Sequence, residues 1–153
     1  MPRTFGLDVG DRRIGVAVSD PTRLIARPLS VIDRRIDDAI ILLRELVLTH
    51  DVDEHVIGMP IHFDGRIGTQ AQRVEAFTVD LRQALTIPIH YHDERNSTRT
   101  AREIIAAKKR KQRDEHDDAI AASVILQRFL DSRRASDFED DPADFDDEMN
   151  STT

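Results

Sequence analysis

The sequence predicts an α/β protein whose mixed five-stranded sheet is flanked by helices. Three strand-like segments follow one another at the start of the chain, with only tight turns between them. From about residue 33 onward, amphipathic helical segments alternate with short apolar strand segments. Strands joined by tight turns pair antiparallel, whereas strands separated by a helix pair in parallel. We therefore expect three antiparallel strands first and parallel strands after them.

The three early strands are expected over residues 4–9, 14–19 and 26–32. Gly10-Asp11 and Pro21-Thr22 supply the turn residues between them. Each segment is rich in β-branched or other apolar residues, which favours a strand.

Helices and strands then alternate along the chain. The first helix is expected over residues 33–50, because apolar residues recur there at helical spacing on one face. That face consists of Ile36, Ala39, Ile40, Leu43, Leu46 and Val47. The later segments are a strand at 55–59, a helix at 69–85, a strand at 87–92, and helices at 97–107 and 115–132.

Length and composition limit the chain to one folded domain. It has 153 residues, of which 39% are hydrophobic and 33% charged, and it contains no cysteine. A disulfide framework, a cysteine nucleophile and a thiolate metal site are therefore excluded. With no run of 18 apolar residues, we expect a soluble, cytoplasmic protein without membrane partners. The domain is assigned to residues 1–135, and residues 136–153 to an acidic, disordered tail.

Charge is distributed unevenly along the chain. The tail carries eight acidic residues and no lysine or arginine, and the rest of the chain is close to neutral. Residues 95–113 carry eight basic residues and a single acidic residue, Glu103. Such a segment indicates a polyanionic partner, because neutralising phosphates releases counterions. The alternative is a solvated helix face and loop.

Carboxylates occur at three places that a sheet of this kind brings together. Asp8 ends the first strand, Asp93 and Glu94 follow a later strand, and Asp117 and Asp118 begin the last helix. Ligands gather at the carboxyl ends of parallel strands. Crowded carboxylates repel one another, and Mg²⁺ or Mn²⁺ relieves this repulsion. Each group also has an ordinary explanation, as a turn residue, a helix-start acid or a capping segment.

Eight segments, in order and at matching spacing over roughly residues 4–131, resemble the YqgF family, which is also called RuvX. They are residues 6–20 (GLDVGDRRIGVAVSD), 26–29 (ARPL), 56–60 (VIGMP), 63–65 (FDG), 68–71 (GTQA), 93–95 (DER), 118–122 (DAIAA) and 125–127 (ILQ). Asn96 departs from the family pattern, which has Leu at that position. The resemblance implies an RNase H-like fold and a metal-dependent nuclease that matures the 5′ end of the 16S ribosomal RNA precursor.

The resemblance also implies residue roles. Asp8, the Asp93-Glu94 pair and Asp118 would be the ligands of Mg²⁺ or Mn²⁺, and Asp8, Glu94 and Asp118 the catalytic residues. Within the pair, Glu94 is favoured over Asp93, although the sequence does not say which side chain points inward. Asp118 is favoured over Asp117 because it alone fits the family pattern.

The expected nucleic-acid-binding residues are all basic and lie in two segments. They are Arg12, Arg13, Arg95, Arg99, Lys108, Lys109, Arg110 and Lys111. For Arg12 and Arg13 the alternative is simple solvation of the turn, and for Arg95 it is a salt bridge. With little aromatic content nearby, binding should depend on backbone and shape rather than base stacking.

Two further interpretations stay open. One is a resolvase of Holliday junctions or other structured DNA, which the family was earlier proposed to be. The other is a non-catalytic nucleic-acid-binding module with the same fold. The expected partners are structured RNA of the ribosomal precursor or branched DNA, together with the ribosome, and the chain is expected to be a monomer or a homodimer.

Overall fold

The computed structural model describes residues 1–61, 65–94 and 116–139. The predicted helix at 97–107 and the basic segment at 95–113 lie outside the described residues. No helix in the described ranges is long and apolar enough to cross a membrane.

One five-stranded sheet forms the centre of the protein. Its strands are β1 (Arg3–Val9), β2 (Arg13–Ser19), β3 (Ala26–Asp33), β4 (Val52–Met59) and β5 (Ile89–Asp93). They lie in the order β3-β2-β1-β4-β5. β2 pairs antiparallel with both β1 and β3, while β4 pairs in parallel with β1 and β5. The predicted mixed sheet, with its antiparallel start, is confirmed.

Three helices are described, α1 (Ala39–His50), α2 (Thr69–Ala84) and α3 (His116–Glu139). The predicted start of the first helix at residue 33 is wrong. The chain makes a turn at Asp33, whose carbonyl accepts hydrogen bonds from the N–H groups of Ile36 and Asp37. The helix begins only after Asp38, whose side chain caps it. Ile36 was expected on the apolar face but is 77% exposed.

The two faces of the sheet carry different helices. α1 and α2 cover one face, where strand residues such as Phe5, Leu7 and Ile57 join Leu43 of α1 and Leu81 of α2 in the larger apolar core. α3 covers the other face, and its core is smaller: Ala17, Val56, Ala122, Ile125, Leu126 and Leu130. Since side chains alternate along a strand, each strand position can be assigned to one of these two faces.

Glycines let α3 lie unusually close to the sheet. A Cβ added to Gly15 of β2 would lie 1.8 Å from the carbonyl oxygen of Asp118, and one added to Gly6 of β1 would lie 2.6 Å from Cβ of Leu126. No side chain fits in either place. The contacts also set the direction of α3, whose N-terminal turn lies over the start of β2 near the carboxyl end of β1.

At its other end, α3 is tied to the amino end of the sheet by a buried carboxylate. Glu54 of β4 accepts hydrogen bonds from Thr4 (2.6 Å), from Arg23 (2.9 Å) and from both terminal nitrogens of Arg133 (2.8 and 3.0 Å). Nε2 of His90 lies 3.2 Å from the same carboxylate. Burial alone would raise the pKa of Glu54, but the hydrogen bonds from Arg133 and Thr4 outweigh it and lower the pKa to about 2.

Arg133 lies in a part of α3 that was not predicted to be helical. The predicted end was residue 132, whereas α3 continues to Glu139 and so enters the segment assigned to the acidic tail. Arg134 and Asp131, one helical turn apart, form an ion pair at 2.7 Å in this region.

Candidate active site

Asp8 lies near the carboxyl end of β1, on the face that α3 covers. Its partner in the adjacent strand β2 is Gly15, and directly paired residues of antiparallel strands share a face. Gly15 is in contact distance of α3, as is Gly6, two residues before Asp8. The β1 strand therefore presents Asp8 beside the N-terminal turn of α3.

Asp118 lies in that N-terminal turn. It is buried, at 8% exposure, and so is the neighbouring Asp117, at 4%. Nε of Arg13, at the start of β2, lies 2.9 Å from Oδ2 of Asp118. The first turn of a helix also favours negative charge.

Glu94 reaches the same face from β5. Its backbone N–H donates to the carbonyl of Met59 at 3.2 Å, which continues the pairing of β5 with β4 by one residue. Its carboxylate lies above Gly58 of β4, where an added Cβ would be 2.6 Å from Oε1 of Glu94 and 2.7 Å from Cδ1 of Ile125 in α3. Glycine at position 58 therefore leaves the space that the Glu94 side chain occupies.

Asp93 lies on the opposite face of the sheet. His90 and His92 contact Phe129 of α3. Their ring centroids lie 5.5 Å and 6.5 Å, respectively, from the centroid of the Phe129 ring. Tyr91, between them, is instead paired with Arg82 of α2. By the alternation of strand side chains, Asp93 faces the α1 and α2 side with Tyr91, and Glu94 faces the α3 side. Of the Asp93-Glu94 pair, the structure thus places Glu94 on the same face as Asp8 and Asp118.

Three carboxylates from three separate elements therefore share one face at one end of the sheet. Their oxygen donors suit Mg²⁺ or Mn²⁺, which prefer carboxylate and water ligands. The glycines at positions 15 and 58 keep side chains out of the surface between them. Within the described ranges, no three His, Cys, Asp or Glu side chains are close enough to form a complete ligand set. The residues fit a cation in donor type and in face.

Of the basic residues expected to bind nucleic acid, the structure describes two. Arg12 is exposed in the turn between β1 and β2. Arg13 is partly buried against Asp118. The other six, Arg95, Arg99, Lys108, Lys109, Arg110 and Lys111, lie outside the described residues.

The sequence did not reveal two features of this site. The first is the pairing of Arg13 with Asp118, since the two residues are far apart in the chain and belong to different elements. The second is the space that Gly58 provides for Glu94. The segment VIGMP was noted only as a motif, and a glycine just before the end of a buried strand was its one available signal.

Proteins similar to this chain identify its family. The family described as "RuvX: Holliday junction resolvase" matches residues 2–132. The chain belongs to the RuvX family. A relative from Roseiflexus sp. (strain RS-1) is 46% identical over 136 residues, which cover 86% of this chain and 96% of the relative. A relative from Dehalococcoides mccartyi is 45% identical over 133 residues, covering 86% and 99%. Both bear the name "Putative pre-16S rRNA nuclease".

Solved structures confirm the fold of this RuvX-family chain. RuvC of T. thermophilus, in complex with a Holliday junction substrate, superimposes with a TM-score of 0.56 at 16% identity. The match covers 88% of this chain and 96% of that chain. A second structure of RuvC from Thermus thermophilus gives a TM-score of 0.53 at 15% identity. The RNase H-like fold expected from the sequence is therefore confirmed.

Proposed function

We propose that this RuvX-family chain is a metal-dependent nuclease that hydrolyses phosphodiester bonds in the 5′ segment of the 16S ribosomal RNA precursor. The observation that carries the proposal is the placement of Asp8, Glu94 and Asp118 on one face at the carboxyl ends of β1 and β5 and at the start of α3. Structural carboxylates have no reason to gather from three elements in this way, because they repel one another.

The three carboxylates would hold the cation, Mg²⁺ or Mn²⁺. When bound, such an ion lowers the pKa of a water and stabilises the charge on the leaving oxygen. The chain's own contribution is to fix the carboxylates. Asp8 is held by β-pairing, Glu94 by the N–H bond to Met59, and Asp118 by the packing of α3 on Gly15. Asp93, on the opposite face, takes no part in the proposed site.

The substrate class follows from the charge of the chain and from its relatives. The basic segment at 95–113 directly follows Glu94 in the sequence, and its eight basic residues suit the binding of a phosphate backbone. The relatives' name supplies the ribosomal precursor as the specific RNA. We further propose that the chain works in the cytoplasm, where the precursor and the ribosome are its partners.

Branched DNA is the second candidate substrate. The family description names Holliday junction resolution, and the solved RuvC structure contains a junction. The carboxylate arrangement suits either substrate, because phosphodiester hydrolysis in RNA and DNA needs the same metal chemistry. A binding module without activity would keep the basic residues and lose the need for the carboxylates.

Cleavage assays separate these functions. The wild type and Asp8→Asn would be given a labelled 5′ segment of the 16S precursor and, separately, a labelled four-way DNA junction, each with Mg²⁺ or Mn²⁺. We expect cleavage of the RNA that disappears with EDTA and in the variant. Cleavage of the junction alone would select the DNA function. Binding of RNA without cleavage by either protein would select the binding module.

A further inference from the structure

The ion pair between Arg13 and Asp118 lies among the carboxylates of the proposed site. Its atoms, Nε and Oδ2, are 2.9 Å apart, and the two side chains are only 28% and 11% exposed. The backbone holds them in this position. Gly15, two residues after Arg13, touches the carbonyl of Asp118, so β2 and the first turn of α3 cannot slide past each other. The contact is therefore part of the packing of α3 and not a surface ion pair.

The guanidinium of Arg13 places a positive charge beside these carboxylates. Asp8, Glu94 and Asp118 share one face, and their like charges repel one another. A single positive charge at Asp118 offsets part of that repulsion. Because both partners are largely buried, the attraction is less screened than in an exposed pair.

We propose that Arg13 is a built-in counter-ion of Asp118, which stabilises the carboxylate group before a divalent cation binds and then competes with that cation for Asp118. The inference rests on the proposed function, since it concerns the same carboxylates. Arg13 acts through Asp118 and is a positioning residue. Arg13 contacts Oδ2 of Asp118, an oxygen that a cation bound by Asp118 could also use.

Arg12 provides a matched control. It carries the same charge one position earlier in the same turn, and its side chain is exposed. Its carbonyl accepts a hydrogen bond from the N–H of Arg34 at 2.8 Å, an interaction of the backbone that a side-chain substitution keeps. Replacing Arg12 therefore changes the net charge of the protein and of this turn by the same amount, without touching Asp118.

The test is the Mn²⁺ dissociation constant, measured by electron paramagnetic resonance on the full chain without nucleic acid. Arg13→Gln should bind Mn²⁺ about tenfold more tightly than the wild type, because a positive charge beside Asp118 is removed. Arg12→Gln should stay close to the wild type. Arg13→Lys, which keeps the charge, should lie near the wild type as well. In EDTA, Arg13→Gln should melt below the wild type, and Mn²⁺ should close this gap.

Each other result has a definite meaning. Weaker or unchanged Mn²⁺ binding in Arg13→Gln, with normal binding in the wild type, would overturn the inference and leave the proposed nuclease intact. An equal gain in Arg12→Gln would reduce the effect to net charge and would also overturn it. If neither the wild type nor Arg13→Gln bound Mn²⁺, the metal-dependent function itself would fail. Should Arg13→Gln not fold, Arg13→Met removes the same charge and keeps an apolar stem: tighter Mn²⁺ binding than the wild type would support the inference, and unchanged binding would overturn it.

Discussion

The two ends of α3 treat buried carboxylates in opposite ways. At the amino end of the sheet, Glu54 is surrounded by Thr4, Arg23 and both terminal nitrogens of Arg133. At the carboxyl end, three carboxylates from three elements share one face, and Arg13 contacts Asp118 there. Both ends lie on the same face of the same sheet, under the same helix.

The difference distinguishes an acidic residue that stabilises the fold from acidic residues that are proposed to bind a cation. Glu54 satisfies its hydrogen-bonding capacity within the fold, and its lowered pKa reports that compensation. At the carboxyl end, acidic residues from separate elements share one face, an arrangement that favours binding of a cation. Sequence composition does not distinguish the two, since each is an acidic residue at a strand or helix end.

A side chain added between β2 and α3, at the carboxyl end of the sheet, should have the largest effect on the free energy of unfolding. In Gly15→Ala the new Cβ would overlap the carbonyl oxygen of Asp118, which is backbone and cannot rotate away. We expect a loss of about 3 kcal/mol or more in the free energy of unfolding, at the upper end of overpacking. Urea denaturation measures it. Gly6→Ala, with its nearest atom at 2.6 Å instead of 1.8 Å, should lose less; an equal or smaller loss for Gly15→Ala would contradict the close packing of α3 on β2.

Loss of the Glu54 contacts at the amino end of the sheet should reduce the free energy of unfolding without changing RNA cleavage. Glu54→Gln removes the carboxylate that Arg133 contacts and leaves Arg23 paired with Asp53, at a loss of about 2–3 kcal/mol in the free energy of unfolding. Cleavage per folded molecule should not change. Urea denaturation and RNA cleavage on the same sample check both statements. A variant that is stable but inactive would show that the two ends of α3 are not separate in function.

The same carboxylate predicts how the amino end responds to acid. Its pKa is lowered in the folded state from 4.5 to about 2. The stabilisation is therefore fully present above pH 4.5 and is lost as the pH falls toward 2, because the unfolded chain takes up the proton first. Denaturation of the wild type and of Glu54→Gln over this range should give curves that converge at low pH, whereas a constant difference would contradict the assigned pKa.

A smaller effect should come from His55, which lies on the other face of the sheet. It is fully buried beside Phe5, and neither ring nitrogen has a hydrogen-bond partner among the described residues. Burial lowers its pKa from 6.5 to about 4, so the unfolded chain binds more protons between these values and stability falls as the pH drops. We expect a loss of about 2 kcal/mol between neutral pH and pH 5. His55→Leu should remove most of this slope; an unchanged slope would assign it to other groups.

Much of the fold was accessible from the sequence because it depends on local patterns. Turn residues and alternating apolar segments located the five described strands, and helical periodicity located the three described helices. The first helix began later than predicted because apolar spacing extends through Ile36, whereas the capping side chain of Asp38 fixes where the hydrogen bonds start. The Glu54 cluster was missed, since the predicted strand began at His55 and the predicted last helix ended before Arg133.

The site was predictable in its members but not in its arrangement. Asp8, Glu94 and Asp118 follow from strand and helix ends and from the family motifs. The choice between Asp93 and Glu94 depends on which face of β5 meets α3, a matter of tertiary packing that His90 and His92 settle through Phe129. No local pattern contains that contact.

The central claim is that the carboxylates on the α3 face carry the reaction. The most direct measurement compares Glu94→Gln with Asp93→Asn in cleavage of the 5′ segment of the 16S precursor, with Mn²⁺ and equal amounts of folded protein. The substitutions are adjacent and remove the same charge, but from opposite faces of the sheet. We predict that Glu94→Gln lowers the cleavage rate more than about a hundredfold, beyond the effect of outer-shell partners of a metal, and that Asp93→Asn stays within a few fold of the wild type. Equal losses in both variants, or a greater loss in Asp93→Asn, would contradict the assignment.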